Sequence, residues 1–87
     1  MGLERGQVSV RLFSSLVDVA GRERIAVPLL REDATVADVL ARLSESVPEL
    51  DGLLPGLLVA RDCEYLARES GVSGGDELDV MPPLSGG

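Results

Sequence analysis

The chain is short, acidic and poor in the side chains that enzymes use: its 87 residues carry a formal net charge of −7, one phenylalanine, one tyrosine and no histidine. All eight basic residues are arginine, so the chain offers neither an amine for Schiff-base chemistry nor an imidazole general base. We therefore expect one small globular domain that is not an enzyme by itself and, because an acidic surface repels phosphate, no binding to nucleic acid.

The first third of the chain predicts two strands around a helical turn. Apolar and polar residues alternate over residues 7–13, as in a strand with one buried face. A serine cap candidate opens the next stretch, and Gly21 is placed to end a short helical turn. A second strand is predicted over residues 24–29, where Pro28 indicates an edge position.

The next pattern predicts the main helix. Thr35 and Asp38 resemble a capping box, with aspartate in place of the preferred glutamate. Apolar residues then repeat at helical spacing, and Pro48 follows them. We therefore expect the helix over residues 36–46.

The second half predicts short elements and a last strand. A loop after the helix is expected to place three leucines in the core, and residues 57–60 are expected to form a short buried strand. A tight turn at 61–64 returns the chain, and the last strand is predicted over 77–81 after a Gly-Gly pair suited to positive φ. The three leucines are Leu50, Leu53 and Leu54.

This order of elements predicts an α+β fold of the ubiquitin-like β-grasp type. One helix would cover one face of a mixed sheet, with the first and last strands parallel at its centre. We expect residues 1–87 to form a single domain in which residues 1–6 are flexible and residues 82–87 form an extended tail. Two consecutive glycines contribute no packing, so their place at the end of that tail indicates that the terminus itself is the reactive group.

Three stretches together resemble the MoaD family of the MoaD/ThiS superfamily: VRLFSSLVDVAG, ATVADVLARL and SGGDELDVMPPLSGG. The last stretch is the specific one, because it fixes the final strand, the rigid bend and the tail together. The resemblance implies a sulfur carrier whose Gly87 carboxylate is adenylated by a MoeB-like enzyme with ATP and Mg²⁺. Sulfur from a cysteine desulfurase would then convert the adenylate into a thiocarboxylate. The carrier itself is expected to bind no cofactor and no metal.

The same resemblance implies a second partner, the MoaE-like large subunit of molybdopterin synthase. That subunit would hold the active site, in which a pyranopterin precursor takes the sulfur for the molybdenum cofactor. Gly86 and Gly87, which lack Cβ, can pass through a narrow tunnel into such a site. The residues before them are expected to contact the partner as well: Pro82, Pro83, Leu84 and Ser85.

A hydrophobic docking face is also expected. By alternation, Phe13 and Met81 point away from the core-facing residues of their strands, and exposed aromatic or methionine side chains often mark a partner surface. The resemblance implies that such a surface lies at these positions, and Tyr65 is assigned to it as well.

Other residues carry weaker signals. Cys63 is the only cysteine and is interpreted as a plain turn residue, because no lysine or histidine is present to lower its pKa. Family members commonly have Asn-Gly where this chain has Asp62-Cys63, so we expect a less relaxed hairpin or another turn type. The acidic residues near this turn and before the last strand are predicted either to meet a basic partner or to be solvated: Asp62, Glu64, Asp76, Glu77 and Asp79.

Three alternative functions stay open at this point. Related carriers of the ThiS type serve thiazole or cysteine synthesis, and a ubiquitin-like modifier would join the same terminal glycine to a target lysine. In the third alternative the chain is a binding module with incidental glycines. With no signal peptide or membrane span visible in the sequence, a cytoplasmic location is the default expectation.

Overall fold

The computed structural model describes residues 6–83, which form a mixed five-stranded sheet with the main helix packed on one face. The strands are β1 (Gln7–Leu12), β2 (Arg24–Pro28), β3 (Leu58–Arg61), β4 (Glu64–Tyr65) and β5 (Glu77–Met81). Two α-helices, α1 (Ser15–Ala20) and α2 (Val36–Ser46), and a 3₁₀ helix (Pro48–Gly56) connect them. The predicted bounds of α2 and β5 are confirmed, and the other predicted strands agree to within about one residue.

The sheet has the order β2-β1-β5-β3-β4. β1 and β5 are parallel, and the other three neighbouring pairs are antiparallel. The predicted parallel contact between the first and last strands is therefore confirmed, as is the β-grasp arrangement. β2 is an edge strand, which allows Pro28 at its end because that strand has a neighbour on one side only.

The core lies between α2 and the face of the sheet that carries the alternate apolar residues of β1, β2 and β5. Leu43 of α2 has no exposed surface, and Leu40 is 3% exposed. No polar or charged side chain is buried among residues 6–83. In the same part of the chain, no helix is both long and apolar enough to cross a membrane.

Leu40→Ala is expected to lower the free energy of unfolding by about 2–5 kcal/mol, because it removes a buried side chain and leaves a cavity. Urea unfolding followed by circular dichroism measures this loss. Glu45→Ala, an exposed change on the same helix, should stay within about 0.5 kcal/mol of the wild type. Equal effects of the two changes would contradict the packing of α2 described above.

A complete capping box begins α2. The Thr35 backbone N–H donates to Asp38 Oδ2 at 2.9 Å, and the Asp38 N–H donates to Thr35 Oγ1 at 3.4 Å. Arg31 Nη2 donates to the same carboxylate oxygen of Asp38 at 2.7 Å. The backbone hydrogen bond from Thr35, followed by Arg31, holds the pKa of Asp38 below its ordinary value of 3.8.

Stability should depend on pH through this carboxylate. Because the pKa of Asp38 is lower in the folded state, its contribution is present above about pH 4 and is lost as the pH falls through the folded pKa. At neutral pH, Asp38→Asn is expected to lower the free energy of unfolding by about 0.3–1 kcal/mol. Urea unfolding at about pH 7 and pH 2.5 should show a difference between variant and wild type that shrinks at the lower pH. A difference that is the same at both pH values would contradict this assignment.

Two local predictions were wrong. Ser14 precedes α1 but makes no side-chain cap hydrogen bond, and its backbone has φ 57°, outside the extended region that a capping residue usually adopts. Gly21, with φ 77°, does end this helix as predicted. Leu53 is 44% exposed and does not fill the core. Leu50 is fully buried in the core, and Leu54 is half-buried and packs against the core. Asp51, Gly52 and Leu53 are all exposed, so the middle of the 3₁₀ helix faces solvent between the contacts that Leu50 and Leu54 make with the core.

Candidate functional site

The face of the sheet opposite α2 is termed the open face, and an apolar row crosses one end of it. Leu12 is paired with Val80, and the Phe13 N–H donates to Val80 O at 3.1 Å, so the parallel ladder continues and places Phe13 beside Met81. Met81 is in turn paired with Leu58. Phe13, Met81 and Leu58 are all half-buried. These three residues, the apolar row, lie where β5 leaves the sheet.

Tyr65 shares this face but not this row. It is paired with Ala60, which is paired with Asp79, so β3 separates Tyr65 from Met81. Its side chain is 66% exposed. The structure therefore brings Phe13 and Met81 together as predicted and places Tyr65 at the edge of the same face.

Ion pairs border the apolar row. Arg11 Nε lies 3.4 Å from Asp79 Oδ1, and the Arg11 guanidinium lies 4.8 Å from the centre of the Phe13 ring. Arg24 approaches Glu77 at 3.9 Å. These side chains are partly exposed, so the pairs stabilise the fold by no more than about 1 kcal/mol each. The Arg11–Asp79 pair borders the apolar row on one side with charge of both signs, and the Arg24–Glu77 pair lies farther along the same face.

The acidic residues predicted either to meet a basic partner or to be solvated are mostly paired with arginines of the same chain. Asp79 and Glu77 pair across the open face, and Asp76 accepts from Arg61 Nη1 at 3.0 Å and from the Ser73 N–H at 2.9 Å. Asp62 and Glu64 are exposed at the hairpin. Three of the five acidic residues thus help to hold the sheet and its loops.

The hairpin between β3 and β4 is strained but of the expected kind. Asp62 and Cys63 have φ values of 53° and 68°, both positive, as the type I′ turn of an Asn-Gly pair requires. The prediction of a less relaxed turn is confirmed in this sense, because residues with a Cβ have a less favourable free energy there by about 1–2 kcal/mol each. Cys63 is a free, exposed thiol at the tip.

Cys63→Gly should raise the free energy of unfolding by about 0.5–1 kcal/mol, since glycine adopts positive φ without steric cost. Urea unfolding measures the change. A loss of stability would contradict the strain assigned to this turn. The same variant has no thiol, so thiocarboxylate formation at the wild-type rate would also exclude Cys63 from the chemistry.

The base of the tail leaves the sheet next to the apolar row. Pro82 is half-buried and Pro83 is exposed, and a Cβ placed on Gly56 would lie 3.5 Å from Pro83 Cγ. The predictions for Leu84, Ser85 and the two terminal glycines fall outside the described residues 6–83. Four residues follow Pro83, so an extended chain places the Gly87 carboxyl at most about 14 Å beyond it.

Sequence reasoning missed Leu58. The segment was interpreted as a short buried strand. In the structure Val59 faces the core, so Leu58 next to it lies on the open face beside Met81. Leu58 completes the apolar row, which spans three adjacent strands.

A family model matches most of this chain. The model described as the ThiS family covers residues 10–87. The chain belongs to the ThiS family. It is a ubiquitin-like sulfur carrier of the MoaD/ThiS type, and the resemblance to MoaD is confirmed at that level.

Two sequence relatives support this membership over nearly their full lengths. The chain is 35% identical over 85 residues to small archaeal modifier protein 1 of Haloferax volcanii, covering 88% of this chain and 97% of that protein. It is 31% identical over 83 residues to the molybdopterin synthase sulfur carrier subunit of Chlamydomonas reinhardtii, covering 93% of this chain and 99% of that protein.

Solved structures agree with the fold. The crystal structure of the Haloferax volcanii modifier superposes with a TM-score of 0.81 at 31% identity, covering 91% of this chain and 99% of that one. A chain from the complex of subunits 1 and 2 of the molybdopterin-converting factor of Helicobacter pylori superposes with a TM-score of 0.60 at 20% identity, covering 93% and 99%. At 20% identity, the similarity to the Helicobacter pylori chain supports the fold alone.

Proposed function

We propose that this ThiS-family protein carries sulfur as a thiocarboxylate on Gly87 and delivers it to the pyranopterin precursor of the molybdenum cofactor. One observation carries the proposal. β5, which lies between β1 and β3, runs directly into Pro82 and Pro83 beside the apolar row, and the family match continues from there through Gly87. A partner that docks on the apolar row is thus within reach of the tail.

The chemistry requires little from the carrier itself. A carboxylate oxygen of Gly87 attacks the α-phosphorus of ATP, and pyrophosphate leaves. The outer sulfur of a persulfide on the cysteine desulfurase then attacks the acyl carbon, and AMP leaves with the oxygen. A thiol such as free cysteine attacks the desulfurase sulfur of the resulting acyl disulfide, so that the thiocarboxylate leaves and the two electrons come from the thiol, which ends in a mixed disulfide. The chain has no histidine and no lysine, so the groups that activate these steps belong to the partners.

The two proposed partners are a MoeB-like adenylating enzyme and a MoaE-like large subunit. The proline pair restricts the base of the tail, which lowers the entropy lost when a partner immobilises it. The apolar row supplies contact area that loses water on binding, and the Arg11–Asp79 pair beside it helps to fix the orientation of the partner. The active site for sulfur transfer is assigned to the large subunit, where the tail would be received.

Intact-mass measurement tests the proposal. The full chain is incubated with the adenylating enzyme, ATP, Mg²⁺, a cysteine desulfurase and cysteine. Replacement of oxygen by sulfur should add about 16 Da, confined to the C-terminal fragment. Adding the large subunit and the pyranopterin precursor should return the mass to its starting value. If the carrier keeps its thiocarboxylate sulfur under these conditions, the acceptor is a different molecule, such as a thiazole precursor.

A second candidate function is protein modification, and the relative named small archaeal modifier protein 1 favours it. An adenylated glycine can also acylate a lysine, with AMP as the leaving group. This chain has no lysine, so it offers no ε-amine for an isopeptide bond to a second copy. Incubation with ATP, the adenylating enzyme and a cell extract would then give adducts with one copy per acceptor lysine, visible by mass spectrometry.

A further inference from the structure

A second apolar surface lies on the other side of the tail base. Leu53, Pro55 and Gly56 of the 3₁₀ helix, Leu16 of α1 and Pro83 line a groove of about 290 Å³. We term it the tail-side groove. It is walled by elements that pack against the core, whereas the apolar row lies on the open face, so Pro82 and Pro83 stand between two apolar surfaces.

The groove is held rigidly by the residues behind it. Leu50 is fully buried near the start of the 3₁₀ helix, and Leu57 is 2% exposed directly after it. Arg68 Nη2 donates to Leu54 O at 2.9 Å and to Leu57 O at 2.7 Å, which ties the end of the helix to the rest of the chain. Leu53 is therefore exposed on a fixed support. Because this support is already ordered, little of its conformational entropy is lost when a partner covers Leu53.

The length of the tail restricts what can cover this groove. Four residues separate Pro83 from the reactive carboxyl, a span of at most about 14 Å. A protein that encloses Gly87 must therefore bring its own surface within that distance of the groove. The wall of the groove is apolar apart from Ser15, while Glu49 and Asp51 on the same 3₁₀ helix are exposed.

We propose that the tail-side groove is a docking site for the adenylating enzyme, which inserts an apolar side chain flanked by basic residues from the mouth of its tail-binding channel. The inference rests on the proposed function, because an adenylating enzyme binds this chain only if the Gly87 carboxylate is its substrate. In this arrangement the enzyme contacts both sides of the tail base, through the apolar row and through the groove. Contact on both sides would fix the direction in which the Gly87 carboxyl enters the active site of the enzyme.

The chain contains a matched control for this proposal. Leu53 and Leu30 are both exposed, at 44% and 49%. Leu30 follows β2 at the end of the sheet next to Gly6, whose carbonyl accepts from the Leu29 N–H, and that end lies opposite the tail. The same substitution at either position therefore removes an apolar side chain of similar exposure. Only the change at Leu53 alters the groove.

Carrier-dependent exchange of pyrophosphate into ATP, with the MoeB-like enzyme of the same organism, is the measurement. Leu53→Ser should raise the KM for the carrier about tenfold with little change in kcat, because the chemistry at Gly87 is intact. Leu30→Ser should stay within about twofold of the wild type, and Leu53→Met, which keeps an apolar side chain, should behave like the wild type.

Each outcome decides between the two proposals. Equal KM values for Leu53→Ser and Leu30→Ser, with normal exchange by the wild type, would overturn the docking site and leave the sulfur-carrier function standing. No exchange with the wild-type chain would overturn the sulfur-carrier function and the docking site together. Circular dichroism and urea unfolding of each variant show whether the fold is retained.

Discussion

Met81→Asp should weaken binding to the adenylating enzyme and to the large subunit by about 30-fold or more while the fold is retained. Met81 is the middle residue of the apolar row, between Phe13 and Leu58. A carboxylate placed there loses its water on binding and gains no partner charge, which costs several kcal/mol. In the free protein the same residue is only half-buried, so the carboxylate keeps contact with water.

The control places the same charge on the same face. Ala26 of β2 is exposed and is paired with Ser9, far from the apolar row. Ala26→Asp should change either affinity by less than about threefold, because a charge on an open surface contributes little. Isothermal titration calorimetry with each partner measures both variants. Equal weakening by the two substitutions would point to the net charge of the chain and not to a docking face.

Phe13→Asp should act in the same direction as Met81→Asp. It also removes the ring that Arg11 covers, so part of the effect would come from a freed arginine on the open face. The comparison of the two variants separates the loss of apolar area from the disturbance of the Arg11–Asp79 pair.

The elements predicted best are those whose sequence repeats with a clear period. α2 was bounded at both ends because the Thr35–Asp38 box fixes its start and Pro48 excludes a longer helix. β1 and β5 alternate over five or six residues, which suffices to assign their buried faces. The face opposite the core followed from the same alternation, so Phe13 and Met81 could be named in advance.

The elements predicted poorly are those without such a period. The segment PELDGLLPG has three leucines within five residues, and nothing in its spacing says which of them faces the core. Tertiary contact decides this, because Leu50 packs into the core and Leu53 stays exposed. Residues 57–60 are all apolar, so the sequence shows no alternation there, and Leu58 was missed. The tail-side groove could not be foreseen because it depends on how the 3₁₀ helix lies against α1 and the proline pair.

Deleting Gly87, or adding one residue after it, should lower the rate of thiocarboxylate formation by at least about 100-fold. Either change moves the carboxyl by about 3.3–3.6 Å along an extended chain, and a displacement of about 1 Å is enough to disturb a near-attack geometry. The free energy of unfolding should stay within about 0.5 kcal/mol of the wild type, because the sheet and core lie within residues 7–81.

The matched control adds one glycine at the other end of the chain, directly after Met1, which changes length and composition equally without moving the reactive carboxyl. This variant should gain about 16 Da as readily as the wild type when it is incubated with the adenylating enzyme, ATP and the sulfur source. Normal charging of the chain that lacks Gly87 would be incompatible with a sulfur carrier that reacts at this residue. Loss of charging with the fold intact, together with normal charging of Cys63→Gly, would place the reactive carbon at Gly87, because the chain has no other cysteine and no lysine or histidine that could hold the sulfur or the acyl group.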